Sequence, residues 1–179
     1  MKISCEKNEL FECLQSTAAI TGGGPTTKPI LRNCLLVADG EGVRIEVTDL
    51  DVSARLHLER QEVEGKGKLT LPAARLLSLV REVPGNRVVI EAMENGKGAT
   101  ICSEGGEYSF KLLGESADEF PEVRSFSGEN SFELPAGKFS EMLRRVAVAS
   151  SRDTSRYQLT GVFCEIEGKK LKMTATDGK

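Results

Sequence analysis

Residues 2–6 alternate apolar and polar side chains and predict a short strand. A helix opens at Asn8 and runs to about residue 19, with Leu10, Phe11, Cys13 and Leu14 on one face. Residues 21–29, Thr-Gly-Gly-Gly-Pro-Thr-Thr-Lys-Pro, predict a loop. Strands follow at about 33–38, 43–48 and 52–60, separated by turns at Asp39-Gly40 and Thr48-Asp49-Leu50-Asp51. Residues 68–71 predict another strand. Pro72 suits the first turn of a helix that runs to about Val83, and Pro84-Gly85-Asn86 stops it. Three more strands are predicted near 88–93, 99–103 and 108–113, and the polar stretch 114–130 predicts a linker.

Two helical segments are amphipathic at a 100° step. In 73–83, Leu76, Leu77, Leu79, Val80 and Val83 share an arc, opposite Arg75, Ser78, Arg81 and Glu82. In 136–149, Phe139, Met142, Leu143 and Val146 share an arc, opposite Lys138, Glu141, Arg144 and Arg145. The first helix departs, because Lys7, Glu9 and Glu12 make it slightly acidic.

The chain repeats itself at two nested periods. At an offset of 63, Leu71-Pro72-Ala73 and its helix match Leu134-Pro135-Ala136 and its helix. At an offset of 128, residues 37–49 overlay 165–177 without a gap, so that Gly40/Gly168, Thr48/Thr176 and Asp49/Asp177 coincide. A strand–helix–strands unit therefore occurs twice in 1–127, and the pair begins again near 129. The predicted domains are 1–127, built of two such units, and 128–179, which opens a second domain. The second copy has no counterpart of the residues from Val52 onward, so the expectation is part of a longer repeat protein.

Composition narrows the chemistry. No apolar run approaches the length of a membrane span. The five cysteines stand at 5, 13, 34, 102 and 164, with no CxxC, so neither a disulfide framework nor a thiolate metal site is indicated. Cys34, Cys102 and Cys164 fall in apolar strand patterns and are expected to fill the core. His57 is the only histidine, which excludes a multi-histidine metal site. It is expected to point to the opposite strand face from Leu56 and Leu58. The Gly22-Gly-Gly-Pro run follows a helix, where a phosphate-binding loop would follow a strand, and is expected to be an ordinary loop. Asp49 and Asp51 are expected to be turn formers. No catalytic residue, metal or cofactor is assigned. Net charge is −3, yet residues 66–88 carry net +4, 104–129 net −5 and 138–179 net +4. Segregation of this kind lets an acidic protein present local phosphate-binding faces.

With the repeat established, the chain resembles the bacterial sliding-clamp family, the beta subunits of DNA polymerase III. The resemblance rests on Thr27-Lys28-Pro29-Ile30-Leu31, Ala38-Asp39-Gly40, Thr48-Asp49-Leu50, Leu71-Pro72-Ala73 and Phe110-Lys111-Leu112, then on Ala117-Asp118-Glu119-Phe120-Pro121, Leu159-Thr160-Gly161 and Ala175-Thr176-Asp177-Gly178. Each is weak alone; the ordered set is specific. It implies an α+β DNA-clamp fold, helices on one face of antiparallel sheets, matching the N-terminal portion of a three-domain chain. The implied function is a cytoplasmic, non-catalytic processivity factor whose homodimeric ring encircles duplex DNA. Its implied partners are DNA, the replicative polymerase and the clamp loader, with no membrane. Arg81, Arg152, Arg156 and Tyr157 match DNA-facing positions of the family; Arg75 stands beside a further basic position that falls on Ala74, Lys28 lies near the glycine-loop one, and Arg144 and Arg145 join the candidate DNA-binding set from the basic face of their own helix. Gly24 stands where the family often has arginine. Leu159, Thr176, Gly178 and Lys179 match one wall of a partner-peptide cleft. Leu79, Phe110 and Leu112 match a subunit contact and are expected to be exposed at a sheet edge. Two other readings stay open on the residues alone: a small α+β hydrolase using thiol or carboxylate chemistry, and a protein-interaction module without a DNA role.

Overall fold

The computed structural model describes residues 1–22, 28–126, 128 and 131–179. The glycine-loop expectation at 23–27, Gly24 and Thr27 included, lies outside the described residues. The chain divides into two compact units, Met1–Ser125 and Phe126–Lys179.

In the first unit the elements run β1 (Lys2–Glu6), α1 (Lys7–Thr21), β2 (Asn33–Asp39), β3 (Gly42–Thr48), β4 (Ser53–Leu58), β5 (Gln61–Glu64), β6 (Gly67–Pro72), α2 (Ala73–Glu82), β7 (Arg87–Ala92), β8 (Gly98–Ser103) and β9 (Ser109–Leu113). The strand predicted over 52–60 is β4, which ends at Leu58, and β5 is an additional short edge strand that the pattern did not predict. Every strand pairing is antiparallel. The sheets are ordered β5-β1-β7-β8-β9 and β4-β3-β2-β6. The two repeat halves are thus intertwined. β1, the first strand of half one, pairs with β7 of half two, and β6, the first strand of half two, pairs with β2 of half one.

α1 and α2 pack against each other and against the sheets. They run antiparallel, because Lys7 at the start of α1 donates from Nζ to the carbonyls of Arg81 (2.9 Å) and Val83 (2.6 Å) at the end of α2. Those carbonyls lie where a helix leaves acceptors unsatisfied, and a cation suits the negative end of the dipole. Leu10 and Leu14 of α1 and Leu76 and Val80 of α2 bury fully in one core with Ile3, Leu36, Ile45, Leu69, Leu71, Ile90 and Ile101. The predicted apolar arc of α2 is the face that packs, and Arg75, Ser78, Arg81 and Glu82 are exposed.

Two expectations are overturned here. The stretch 114–125 is a strap, with a 3₁₀ turn at Ala117–Glu119. Phe120 and Val123 bury against Ile30, Leu35 and Val37 in a second core cluster. Thr70 Oγ1 donates to the Glu115 carbonyl and accepts from its N–H, and Arg55 Nη2 donates to the Val123 carbonyl (2.9 Å). Polar composition masked three well-spaced apolar anchors, Ala117, Phe120 and Val123. Core filling by the three named cysteines also fails in part. Cys34 is buried, Cys102 is partly exposed and Cys164 is exposed. Cys102 pairs with Ser109 on β9, one residue from the inward-facing Ile101, so the pleat turns it outward.

In the second unit, α3 (Ala136–Ala147) ends two residues before the predicted end. A 3₁₀ segment, Thr154–Leu159, precedes the hairpin of β10 (Phe163–Glu167) and β11 (Lys170–Thr174). The offset-128 repeat holds in register: Asp39 pairs with Gly42, and Glu167 pairs with Lys170.

Candidate nucleic-acid and peptide interface

The offset-128 repeat also holds in the hydrogen bonds of its turn. Thr48 Oγ1 accepts from Leu50 N (3.0 Å), and Asp49 Oδ1 accepts from Asp51 N (3.0 Å). Thr176 Oγ1 accepts from Gly178 N (3.1 Å), and Asp177 Oδ1 accepts from Lys179 N (3.1 Å). The third residue is left-handed in both, at φ 83° for Leu50 and 84° for Gly178. Threonine and aspartate build this turn because their short side chains reach backbone N–H groups two residues on. The Asp49 carboxylate also takes Val52 N at 2.7 Å, so it is a turn former as expected.

Around Gly178 the second unit forms an open pocket of about 720 Å³. Arg152, Arg156, Gly178 and Lys179 line it with Val148 and Asp177. A Cβ at position 178 would stand 3.1 Å from Arg156 Nη1 and 3.3 Å from Leu159 Cδ1, so glycine keeps this space open. Arg156 and Leu159 are therefore neighbours of the Gly178 turn, although Arg156 matches a DNA-facing position. Asp153 caps the 3₁₀ segment by accepting from Ser155 N, and hydrogen bonding from the Ser155 side chain and then its backbone holds the Asp153 carboxyl below the usual range. Leu159 is half-buried and Thr176 exposed.

The basic residues sit on helix faces. Arg75 and Arg81 project from α2, and the Arg81 guanidinium lies 5.5 Å from the Phe11 ring centroid. On α3, Arg144 and Arg145 are exposed. Arg145 pairs with Glu141 at 2.5 Å, and Arg144 Nη2 donates to Ser140 Oγ at 3.4 Å. Lys28 is exposed just before the 3₁₀ turn Pro29–Arg32, and Tyr157 is exposed on the second unit.

The predicted subunit-contact residues stand differently from expectation. β9 is a sheet edge, but Leu112 is only 8% exposed, and Leu79 and Phe110 are half-buried against the main core. Along β9 the inward positions are Phe110 and Leu112. The exposed apolar side chains at this edge are Leu113, on the outward face, and, just before β9, Tyr108, whose ring lies 6.5 Å from that of Phe110. The alternation of the strand separates Leu113 from Phe110 and Leu112.

His57 is exposed, as expected of its strand face. Among the described residues no three His, Cys, Asp or Glu side chains group as metal ligands. No helix among them is long and apolar enough to cross a membrane.

A duplicated strand–helix–strands unit, with paired helices on two antiparallel sheets, defines the DNA-clamp class of α+β proteins. The profile of the DNA polymerase III beta subunit N-terminal domain matches residues 1–124, and that of its central domain matches 133–179. The chain belongs to the DNA polymerase III beta subunit family. The beta sliding clamp of Synechococcus elongatus is 34% identical over 180 residues, covering 99% of this chain and 47% of the relative. That of Chlamydia muridarum is 30% identical, covering 100% and 48%. The crystal structure of the Bacillus subtilis DNA polymerase sliding clamp superposes with a TM-score of 0.89 at 29% identity, covering 99% of this chain and 47% of that one. The beta subunit from Pseudomonas aeruginosa gives 0.85 at 28%. The chain spans about half the length of the relatives it matches.

Proposed function

We propose that this chain supplies the first domain, and the opening of the second, of a DNA sliding clamp: a non-catalytic processivity factor acting in the cytoplasm. The observation that carries the reading is the family membership of a chain whose helices α2 and α3 turn arginines to solvent. A closed ring holds DNA topologically, so mobile contacts from Arg75, Arg81, Arg144 and Arg145 to phosphate suffice, and sequence reading would obstruct sliding. Lys28 of the first unit and Tyr157 of the second are further proposed DNA contacts. Arg152 and Arg156 are proposed DNA contacts as well, and both also line the pocket beside Gly178. The Gly178 turn is one wall of a cleft for the short hydrophobic motifs of the replicative polymerase and clamp loader, with Leu159 beside it as the apolar part and Thr176, Gly178 and Lys179 as the turn. The dimeric ring uses the β9 edge, with Tyr108 and Leu113 exposed there and Leu79, Phe110 and Leu112 supporting them from the core.

The test is the salt dependence of binding to duplex DNA of unrelated sequences. Affinity should be weak and sequence-independent, with a slope of about −0.9 per phosphate contacted. Replacing Arg81, Arg144 and Arg145 together with alanine should flatten the slope. An unchanged slope removes these helices from DNA contact. For the cleft, a fluorescent clamp-binding peptide should lose affinity on Leu159→Asp while DNA binding stays as it was. Equal peptide affinity before and after would place the cleft elsewhere.

A further inference from the structure

Arg81 and Arg145, two of the arginines assigned to DNA, are held in different ways. Arg145 of α3 pairs with Glu141 at 2.5 Å, so part of its charge is compensated within its own helix. Arg81 of α2 is exposed, and among the described residues its guanidinium has neither an ion-pair partner nor a hydrogen-bond acceptor. Its neighbour is the Phe11 ring of α1, with Cζ over the ring at 5.5 Å from the centroid.

α1 holds that arginine at two points. Lys7 and Phe11 stand one helical turn apart and share one face of α1. Lys7 Nζ donates to the Arg81 carbonyl at 2.9 Å and to the Val83 carbonyl at 2.6 Å, which fixes the backbone at the end of α2. The Phe11 ring is half-buried and packs against the main core, so it is a fixed platform. The backbone and the head group of Arg81 are therefore both tied to one helix face.

The chemistry of the hold matters. A ring face attracts a cation through its quadrupole, and the five N–H donors of the guanidinium stay free for another acceptor. A carboxylate at the same place would order the side chain and also neutralise it. α1 carries Glu9 and Glu12, yet neither pairs with Arg81. Glu9 accepts instead from the backbone N–H groups of Glu59 and Arg60.

We propose that Phe11 is a positioning residue for DNA contact: it orders Arg81 in advance, with charge and donors free, for a phosphodiester oxygen of the duplex. The proposal rests on the assignment of Arg81 to DNA and adds the residue that sets its reach. A free arginine loses rotamer freedom each time it meets a phosphate, and one already seated on a ring loses less. The contact stays exchangeable, as sliding requires, because no ion pair within the protein has to break before Arg81 turns to the next phosphate.

Phe11→Leu removes the ring and keeps an apolar side chain, and Phe11→Tyr keeps the ring. In the 179-residue chain, Phe11→Leu should weaken binding to duplex DNA of arbitrary sequence about 2–5-fold at fixed salt, the ratio that an exposed cation–π contact supports. The salt slope should stay as it was, because no charge is lost, whereas Arg81→Ala should reduce it by about 0.9. Phe11→Tyr should bind as the unsubstituted chain does. In an Arg81→Ala background, Phe11→Leu should have no further effect. Without DNA, the Arg81 side-chain protons should show an upfield ring-current shift that Phe11→Leu abolishes, while the backbone amide spectrum of α2 keeps its native pattern. Weaker binding on Arg81→Ala but not on Phe11→Leu would overturn the positioning role and leave Arg81 on DNA. An equal loss from Phe11→Leu with and without Arg81 would overturn it too, because the ring would then act through the fold. Unchanged affinity and slope on Arg81→Ala would remove Arg81 from DNA, and the role of Phe11 with it.

Discussion

Leu50 holds the left-handed conformation that Gly178 holds in the twin turn, and its side chain is exposed. A side chain there costs about 1 kcal/mol or more, and no burial offsets it. Leu50→Gly should therefore raise stability by about 0.5–1 kcal/mol, read as a higher urea midpoint with an unchanged slope. The reverse change, Gly178→Ala, should cost about 1 kcal/mol and also narrow the pocket beside Arg156 and Leu159. The cysteines make a second prediction at this scale. Burial pushes the thiols of Cys5 and Cys34 up to about 12, and burial with the nearby Glu9 and Glu12 carboxylates raises Cys13 as well. A thiolate reagent near pH 8 should label exposed Cys164 first and reach Cys5 and Cys34 only on unfolding. The sign for stability follows. The folded thiols stay protonated where the unfolded ones ionise, so the stability they protect is complete below about pH 8.5 and is lost as pH rises towards 12. A chain with both changed to alanine should lose that alkaline slope, at some cost in packing.

At the scale of elements, two polar devices tie distant segments together. Glu46 is buried on the outer face of β3 and accepts from Arg44 Nε (2.9 Å) and Arg55 Nε (2.7 Å). Arg55 continues to the strap through the Val123 carbonyl, and Arg44 pairs with Asp39, whose carboxyl it holds below the usual range. Glu46→Ala leaves two partly buried guanidiniums without their shared carboxylate and should cost about 2–4 kcal/mol in chemical denaturation. Phe120→Ala should cost about 3 kcal/mol, and limited proteolysis should then cut within 114–125, where the intact strap resists. Lys7→Met removes the cation on the last α2 carbonyls and should cost about 1–2 kcal/mol, chiefly in α2 amide-exchange protection.

Over the whole molecule, the period-63 repeat generates two similar halves, yet neither half of the first unit has a sheet of its own. β1 and β6 are exchanged. The core is correspondingly continuous, drawing on α1, α2 and both sheets, so the first unit should unfold in one transition rather than as two halves. Calorimetric and van't Hoff enthalpies that agree for a chain ending at Ser125 would bear this out, and two resolved transitions would contradict it.

The sequence by itself determined what depends on neighbours along the chain. The helical arc of Leu76, Val80 and Val83 follows from a period of 3.6. The Thr-Asp turns at 48–51 and 176–179 follow from side chains that bond backbone two residues away, and the repeat offsets place their equivalents. These interactions close within a few residues and leave a local signature. Only the tertiary structure decided the rest. Whether β6 joins its own half or the other is a choice between open strand edges of similar composition, which no local pattern distinguishes. Leu112 points inward and Leu113 outward because β9 lies on a particular sheet face. Phe120 and Val123 anchor a strap because Ile30, Leu35 and Val37, far away in sequence, present an apolar surface to them. Arg156 lies beside Gly178 because the 3₁₀ segment and the turn after β11 meet in space, and long-range packing of that kind is absent from the order of residues alone.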